Sequence, residues 1–262
     1  AGTNKSITVS GYTLTGADAA NYSVSQPTYI TATINKADQT ITAISLSETK
    51  TFGNNPYNVS TTASSGLVVS YSSSNTSVAT VDVSGNVTIV GAGSTTITAS
   101  QSGNANYNAA SNVEQALTVN KADQDLTAIT ATVSKVYGDA AYSASSTASS
   151  GLTVSYSSSD TSVATVASNG LVTIVGVGTT TITASQSGNT NYNPAVSVSQ
   201  ELTVAKANQT ITLAATDSKT TATAPYTLNQ NASSGLAIVY TSSNLSVATI
   251  SGNTVTIVGA GT

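Results

Sequence analysis

Apolar and hydroxyl-bearing residues alternate along most of this chain. In the stretch beginning at Lys36, period-two runs of Val, Ile, Leu or Tyr against Ser and Thr predict seven short strands. They cover 40–45, 57–61, 67–73, 79–83, 86–90, 94–100 and 114–119. Turn residues fall between the runs: Gly53-Asn54-Asn55-Pro56, Ser84-Gly85-Asn86, Gly91-Ala92-Gly93 and Gly103-Asn104. No stretch carries the apolar spacing of a helix over ten or more residues.

The pattern recurs. Lys36-Ala-Asp-Gln39 returns at Lys121–Gln124 and, as Lys-Ala-Asn-Gln, at Lys206–Gln209, each step being 85 residues. Ser-Val-Ala-Thr recurs at 77–80, 162–165 and 246–249, and Thr-Ile-Val-Gly ends at Gly91, Gly176 and Gly259. Units 36–120 and 121–205 are about two-thirds identical. Asn21–Tyr22 precedes Asn106–Tyr107 by the same 85 residues, and those precede Asn191–Tyr192 by 85 again. A self-similar period of this kind decides the reading of the whole chain. The expected division is 1–35 as the C-terminal part of a preceding β module, then complete modules at 36–120 and 121–205. Residues 206–262 would be a third, truncated module, so that the chain reads as a window on a longer array.

About seven strands in each 85-residue unit predict an all-β fold of tandem antiparallel β-sandwiches, immunoglobulin-like, strung into an extended rod. A helix-free solenoid is the alternative. The unit is too long for a solenoid rung and large enough to close its own core. The expected inward residues are Ile41, Val69, Tyr71, Val81, Val87, Ile89, Ile97, Leu117 and Val119. In the second unit they are Leu126, Val154, Tyr156, Val166, Val172, Ile174, Ile182, Leu202 and Val204. Tyr71, Tyr156 and Tyr240 share one repeated position and are expected as core or corner residues whose hydroxyls reach a backbone carbonyl. Asn106–Tyr107 and Asn191–Tyr192, in Gly/Asn-rich loops, are expected to pack where one module meets its neighbour.

Composition narrows the chemistry. The chain has no Cys, His, Met, Trp or Arg, a third of it is Ser and Thr, and 7% is charged, with a net charge of -4. Imidazole acid–base catalysis, thiolate nucleophiles, the usual zinc sites and disulfide staples are thereby removed. A nucleic-acid groove needs a dense basic face that seven Lys do not make. No run approaches the roughly 18 apolar residues of a membrane-spanning helix, and the first residues lack the pattern of a signal peptide.

The remaining candidates are weak. A Ser nucleophile needs a base, and three of the seven Lys (Lys36, Lys121, Lys206) occupy the repeated junction position. Asp123 and Asp125 are close in sequence, but Thr40 and Thr210 replace Asp125 in the other units. Calcium at Asp123 would stiffen a junction through oxygen ligands; a solvated turn is the plainer expectation. Asp82, Asp139, Asp160 and Asp217 are expected as surface charges. The Gly-x-Gly elements at 91–93 and 176–178 stand between strands rather than before a helix, so they read as turns and not phosphate loops. A Lys–Asn isopeptide bond would need a buried Lys, and the Lys here are expected to be exposed. An ice-binding face would need flat, closely spaced Thr ranks that period 85 does not supply. No catalytic, cofactor-binding or metal-binding residue is therefore assigned, no cofactor is expected and the chain is not expected to be an enzyme.

The stretch YSSSNTSVATVDVSGNVTIVGAGSTTITAS, Tyr71–Ser100, resembles the signature half of the bacterial immunoglobulin-like domain, group 2. That pattern runs aromatic–SSS–(N/D)–x–S–V–A–x–V, a turn Gly, V–x, then G–x–G–x–x–x–I–x–A. It returns at Tyr156–Ser185 and begins again at Tyr240. The family usually has Trp where this chain has Tyr. Segment 1–35 is similar to the glycine-rich mostly-β modules that accompany such domains in very large bacterial surface proteins.

The resemblance implies a stalk or spacer of a cell-surface adhesin, non-catalytic and extracellular, holding a distal functional domain away from the envelope. Its implied partners are the neighbouring modules of the same chain. Two alternatives stay open: adhesive modules that bind a surface glycan or protein ligand directly, and the repeat filament of a gliding-motility adhesin. Neither nucleic acid nor membrane insertion is expected of this segment. Joins such as Leu117-Thr-Val-Asn-Lys121 contain no Gly or Pro, which predicts short, stiff connections.

Overall fold

The computed structural model describes residues 1–28, 30–213 and 217–262. The chain divides into two compact units. One comprises Ala1–Ile129, Ser146–Ser155 and Ala184–Val198, and the other Thr130–Ser145, Tyr156–Thr183 and Ser199–Thr262. One end of the second repeat therefore belongs to the first unit and the rest to the second.

Near the start, β1 (Gly2–Ile7) pairs antiparallel with β2 (Ile30–Ile34), with a short 3-10 turn at Ala19–Asn21 between them. The first repeat supplies β3 (Ser47–Thr51), β4 (Tyr57–Asn58), β5 (Ser70–Ser73), β6 (Ala79–Val81), β7 (Asn86–Ile89), β8 (Gly93–Ser100) and β9 (Val113–Asn120). They form one sheet in the order β3-β9-β8-β5 and another in the order β4-β7-β6. Side chains from both sheets share one core: Ala79 and Val87 from the second sheet meet Ile97, Leu117 and Val119 from the first. Two sheets closing on one core make a β-sandwich.

The burial pattern of β8 and β9 follows from period two. Thr95, Ile97 and Ala99 on one strand, and Gln115, Leu117 and Val119 on the other, are buried, while their neighbours face outward. Leu117, 1% exposed, is worth about 1.5–3 kcal/mol as a buried side chain.

The second repeat copies this arrangement with β10 (Thr132–Val136), β11 (Tyr142–Ser143), β12 (Ser155–Ser158), β13 (Ala164–Val166), β14 (Leu171–Ile174), β15 (Gly178–Ser185) and β16 (Val198–Ala205). The orders are β10-β16-β15-β12 and β11-β14-β13. Val163, Ala164, Val172, Ile182, Leu202 and Val204 form its core within the second unit. In the third repeat β17 (Tyr226–Thr227), β18 (Ala248–Ser251) and β19 (Thr254–Ile257) make one antiparallel sheet in the order β17-β19-β18, with Val255 buried.

The fold is all-β and its sandwiches are those expected, with two differences in detail. The sheets are not wholly antiparallel: β3 pairs parallel with β9, and β10 with β16. More than sixty residues separate these partners, so the crossover that a parallel pair requires is available. The predicted strand at 40–45 is reduced to an isolated bridge, Ile41 to Ala63, and the first edge strand lies at Ser47–Thr51 instead. Ser-Glu-Thr-Lys-Thr has no apolar alternation to betray it. Its backbone ladder to β9 holds it, and Glu48 and Lys50 on this edge discourage pairing with a further strand.

Candidate functional site: the contact between repeats one and two

The sequence Gln-Ser-Gly-Asn-x-Asn-Tyr-Asn occurs at 101–108 and 186–193. In the second repeat it forms a loop closed largely by its own polar groups. Asn189 Oδ1 accepts the Asn191 and Tyr192 N–H groups at 2.8 and 2.9 Å, and the Asn189 N–H donates to Tyr192 O at 3.1 Å. Gln186 Oε1 accepts the Gly188 N–H. Gly188 is required twice over: its φ is +74°, and a Cβ there would lie 2.4 Å from Tyr192 O.

The start of the same repeat clamps this loop. Ala122 N–H donates to Asn191 O at 2.9 Å, and Asn193 N–H to Ala122 O at 2.8 Å. Asn193 Nδ2 donates to Asp123 Oδ1 at 2.8 Å, Gln124 Nε2 to Asn193 O at 2.7 Å, and Lys121 Nζ to Asn189 O at 2.7 Å. The repeated Lys-Ala-Asp-Gln therefore grips the Asn-Tyr loop through every one of its residues.

Two side chains of the clamped loop reach the first repeat, all within the first unit. Asn191 Oδ1 accepts the Ala92 N–H at 2.9 Å, and the Tyr192 ring meets Phe52 edge-on, with centroids 5.4 Å apart and planes at 82°. Edge-to-face geometry places the positive edge of one ring on the negative face of the other. Gly91 is buried beneath this contact; a Cβ on it would stand 2.7 Å from Ser77 O and 3.2 Å from Asn191 Oδ1. Of the two Asn-Tyr pairs expected at a junction, Asn191–Tyr192 thus meets residues of the preceding repeat. The loop at 101–108 is built the same way.

The other residues singled out from sequence have structural surroundings. Tyr71 OH accepts the Thr61 N–H at 2.8 Å and donates to Thr61 O at 3.3 Å, the backbone anchorage expected of it. Asp82 accepts the Ser84 N–H, the Asn86 N–H and Asn86 Nδ2 at 2.8–2.9 Å. These bonds, the Asn86 side chain first, hold its carboxyl below the usual range. Asp160 is lowered in the same way, chiefly by the Ser162 hydroxyl and N–H. Asp139 Oδ2 accepts the Val136 N–H at 2.9 Å, and Asp217 pairs with Lys219 at 3.0 Å. Among the described residues no three carboxylates gather as metal ligands, and no helix is long and apolar enough to cross a membrane.

Sequence reasoning missed Ala92 and Phe52, the receiving side of the contact, although Phe52 is the only Phe in the chain and Tyr137 repeats its aromatic character. It also missed buried Gln. Gln115 and Gln200, each 2% exposed, accept the hydroxyls of Tyr57 and Tyr142 at 2.7 and 2.6 Å. Burial, with the Glu48 carboxylate as a second cause, pushes the Tyr57 hydroxyl up to about 12. Lys50, Lys135 and Lys219 stand 5.0–5.2 Å from the rings of Tyr57, Tyr142 and Tyr226, so this cation–π pair recurs in all three repeats.

A family model described as the intimin immunoglobulin-like domain matches residues 56–103 and again 137–188, and one described as the YDG domain matches residues 1–30. Both sandwiches thus have a core region similar to an immunoglobulin-like domain of a bacterial adhesin. Among solved structures, Drosophila N-cadherin EC1-4 is similar at 14% identity and a TM-score of 0.31, over 66% of this chain and 50% of that one. Domains 1-6 of the surface layer protein SbsC are similar at 19% identity and a TM-score of 0.29, over 83% and 35%. Sidekick-1 immunoglobulin domains 1-5 are similar at 12% identity and a TM-score of 0.30, over 67% and 40%. The chain thus spans half of the cadherin fragment and less of the other two. No curated protein sequence matches it.

Proposed function

We propose that this chain is a non-catalytic spacer: a run of immunoglobulin-like modules, on the outside of a bacterial cell, that holds a functional domain at a distance. The observation that carries the reading is the Asn191–Ala92 and Tyr192–Phe52 contact. A flexible tether would leave a repeat free of the one before it, whereas here the loop of the second repeat is seated by side chains on the turn of the first. Repeated along an array, such a seat between each repeat and the one before it favours an extended object. The match to an intimin domain model supports the bacterial surface setting.

In this reading the modules are 36–120 and 121–205, with 206–262 the first part of a third, and they are of the group 2 kind suggested by Tyr71–Ser100. Residues 1–35 form the end of a preceding, glycine-rich β module. The surface suits such a role. Only 7% of the chain is charged, so it offers hydroxyls and amides rather than a strong field that would recruit partners.

Small-angle X-ray scattering on the full chain tests the proposal. The expected pair-distance distribution is skewed, with a long tail. A symmetric distribution of the size expected for a globular protein of this mass overturns it.

A further inference from the structure

Within the second unit a cleft of about 550 Å³ is lined by Tyr137, Gly138, Val177, Lys206–Gln209, Ser233, Ser234 and Leu236. Shifted back by one repeat, six of these positions are ones that hold the Asn-Tyr loop at 186–193. Lys206, Ala207, Asn208 and Gln209 stand where Lys121, Ala122, Asp123 and Gln124 clamp that loop. Tyr137 and Val177 stand where Phe52 and Ala92 receive Tyr192 and Asn191. Here Tyr137 is 53% and Val177 47% exposed, and Gln209 is exposed where Gln39 and Gln124 are buried.

We infer that this cleft is the seat of a second Gly-Asn-x-Asn-Tyr-Asn loop, carried by the third repeat of an array of this kind. The inference rests on the spacer reading and names the partner surface of the next junction. Its chemistry is complete on the receiving side. Lys206 offers an ammonium to the loop's first Asn carbonyl, and Ala207 offers N–H and C=O to the Asn and Asn backbone groups that flank the Tyr. The Gln209 amide can donate to the last carbonyl. Asn208 replaces Asp123 and keeps an oxygen acceptor for an Asn Nδ2. Tyr137 presents a ring to the incoming Tyr and the Val177 N–H is the donor for the incoming Asn. The wider Val side chain and the added hydroxyl of Tyr137 make this seat similar to the first junction without being identical to it.

The probe is the full chain extended after Thr262 by a copy of residues 180–205, which places the loop in register. Docking through one N–H···O bond is expected to slow exchange of the Val177 amide by about tenfold or more. It also shields the Tyr137 ring from nitration. Asn191→Ala with Tyr192→Ala, made only in the appended copy, is expected to restore both. An extension that adds folded β signal yet leaves Val177 exchange and Tyr137 nitration unchanged overturns the inference.

A second measurement does not depend on the extension. Phe52→Tyr with Ala92→Val in the native chain gives the first junction the receiving residues of the second. Slow exchange of residue 92, abolished by Asn191→Ala, is expected to persist. Fast exchange at residue 92 while Ile97 and Leu117 stay protected overturns it. An elongated chain with an open cleft would refute this inference alone, whereas a compact chain would refute the spacer reading.

Discussion

Asn191 Oδ1 accepts the Ala92 N–H at 2.9 Å across 99 residues of sequence, joining the loop of one repeat to the turn of the one before. The acceptor is held by its own repeat, because Asn189 and the Lys121–Gln124 segment fix the loop backbone through bonds that do not involve the first repeat. Asn191→Ala is therefore expected to weaken the junction by about 0.5–1.5 kcal/mol, and Tyr192→Ala by a similar amount. Amide exchange at Ala92 rises in both variants while exchange at Ile97 and Leu117 stays slow. Coincident loss at all three residues would mean that the contact supports the sandwich itself.

Gly188→Ala forces a Cβ to within 2.4 Å of Tyr192 O at a φ of +74°. Strain of about 1–3 kcal/mol is expected in the loop. The junction is lost with it, since Asn191 and Tyr192 are displaced together. Loss of the Tyr192–Phe52 ring contact in NMR spectra, with the repeat still folded, is the expected result; an unchanged ring contact refutes it.

Gln115→Leu removes the acceptor of the Tyr57 hydroxyl from a site that is 2% exposed. Urea denaturation is expected to show a loss of about 1–2 kcal/mol. Adding Tyr57→Phe should recover much of it, because the hydroxyl that lost its partner is then gone. Strict additivity of the two substitutions would show that the bond contributes nothing specific.

Titration acts at both ends of the pH scale. Asp82 and Asp160 have carboxyls held below the ordinary 3.8, so the stability they confer is full above that value. It is lost as pH falls through their lower folded values. The Tyr57 hydroxyl is raised from 10.0 to about 12, so its contribution is full below pH 10.0 and lost as pH rises through about 12. The urea midpoint should fall at both extremes. Asp82→Asn is expected to flatten the acid limb and Tyr57→Phe the alkaline one. Limbs of unchanged slope in these variants would assign the pH dependence to other groups.

The strands β8 and β9 were legible because one face is buried and one is solvated, and alternation writes that difference directly into residue types. All nine expected core positions of the first repeat are buried or half-buried. Ser47–Thr51 was not legible, since an edge strand of polar residues is held by its backbone ladder and leaves no apolar trace. Gln115 and Gln200 were not legible for a related reason. A buried amide is tolerated only when its partners are present, and those partners, Tyr57 and Tyr142, lie 58 residues away in sequence.

The 85-residue period, the strand-and-turn pattern and the absence of His, Cys and Arg stand in the residues themselves, because they are properties of local order and composition. They suffice for an all-β repeat chain and for the chemistry it lacks. The parallel pairing of β3 with β9, the Tyr–Gln bonds and the seat of Asn191 on Ala92 were decided only by the folded chain. Each joins groups far apart in sequence, whose meeting depends on where several strands and turns come to rest in three dimensions.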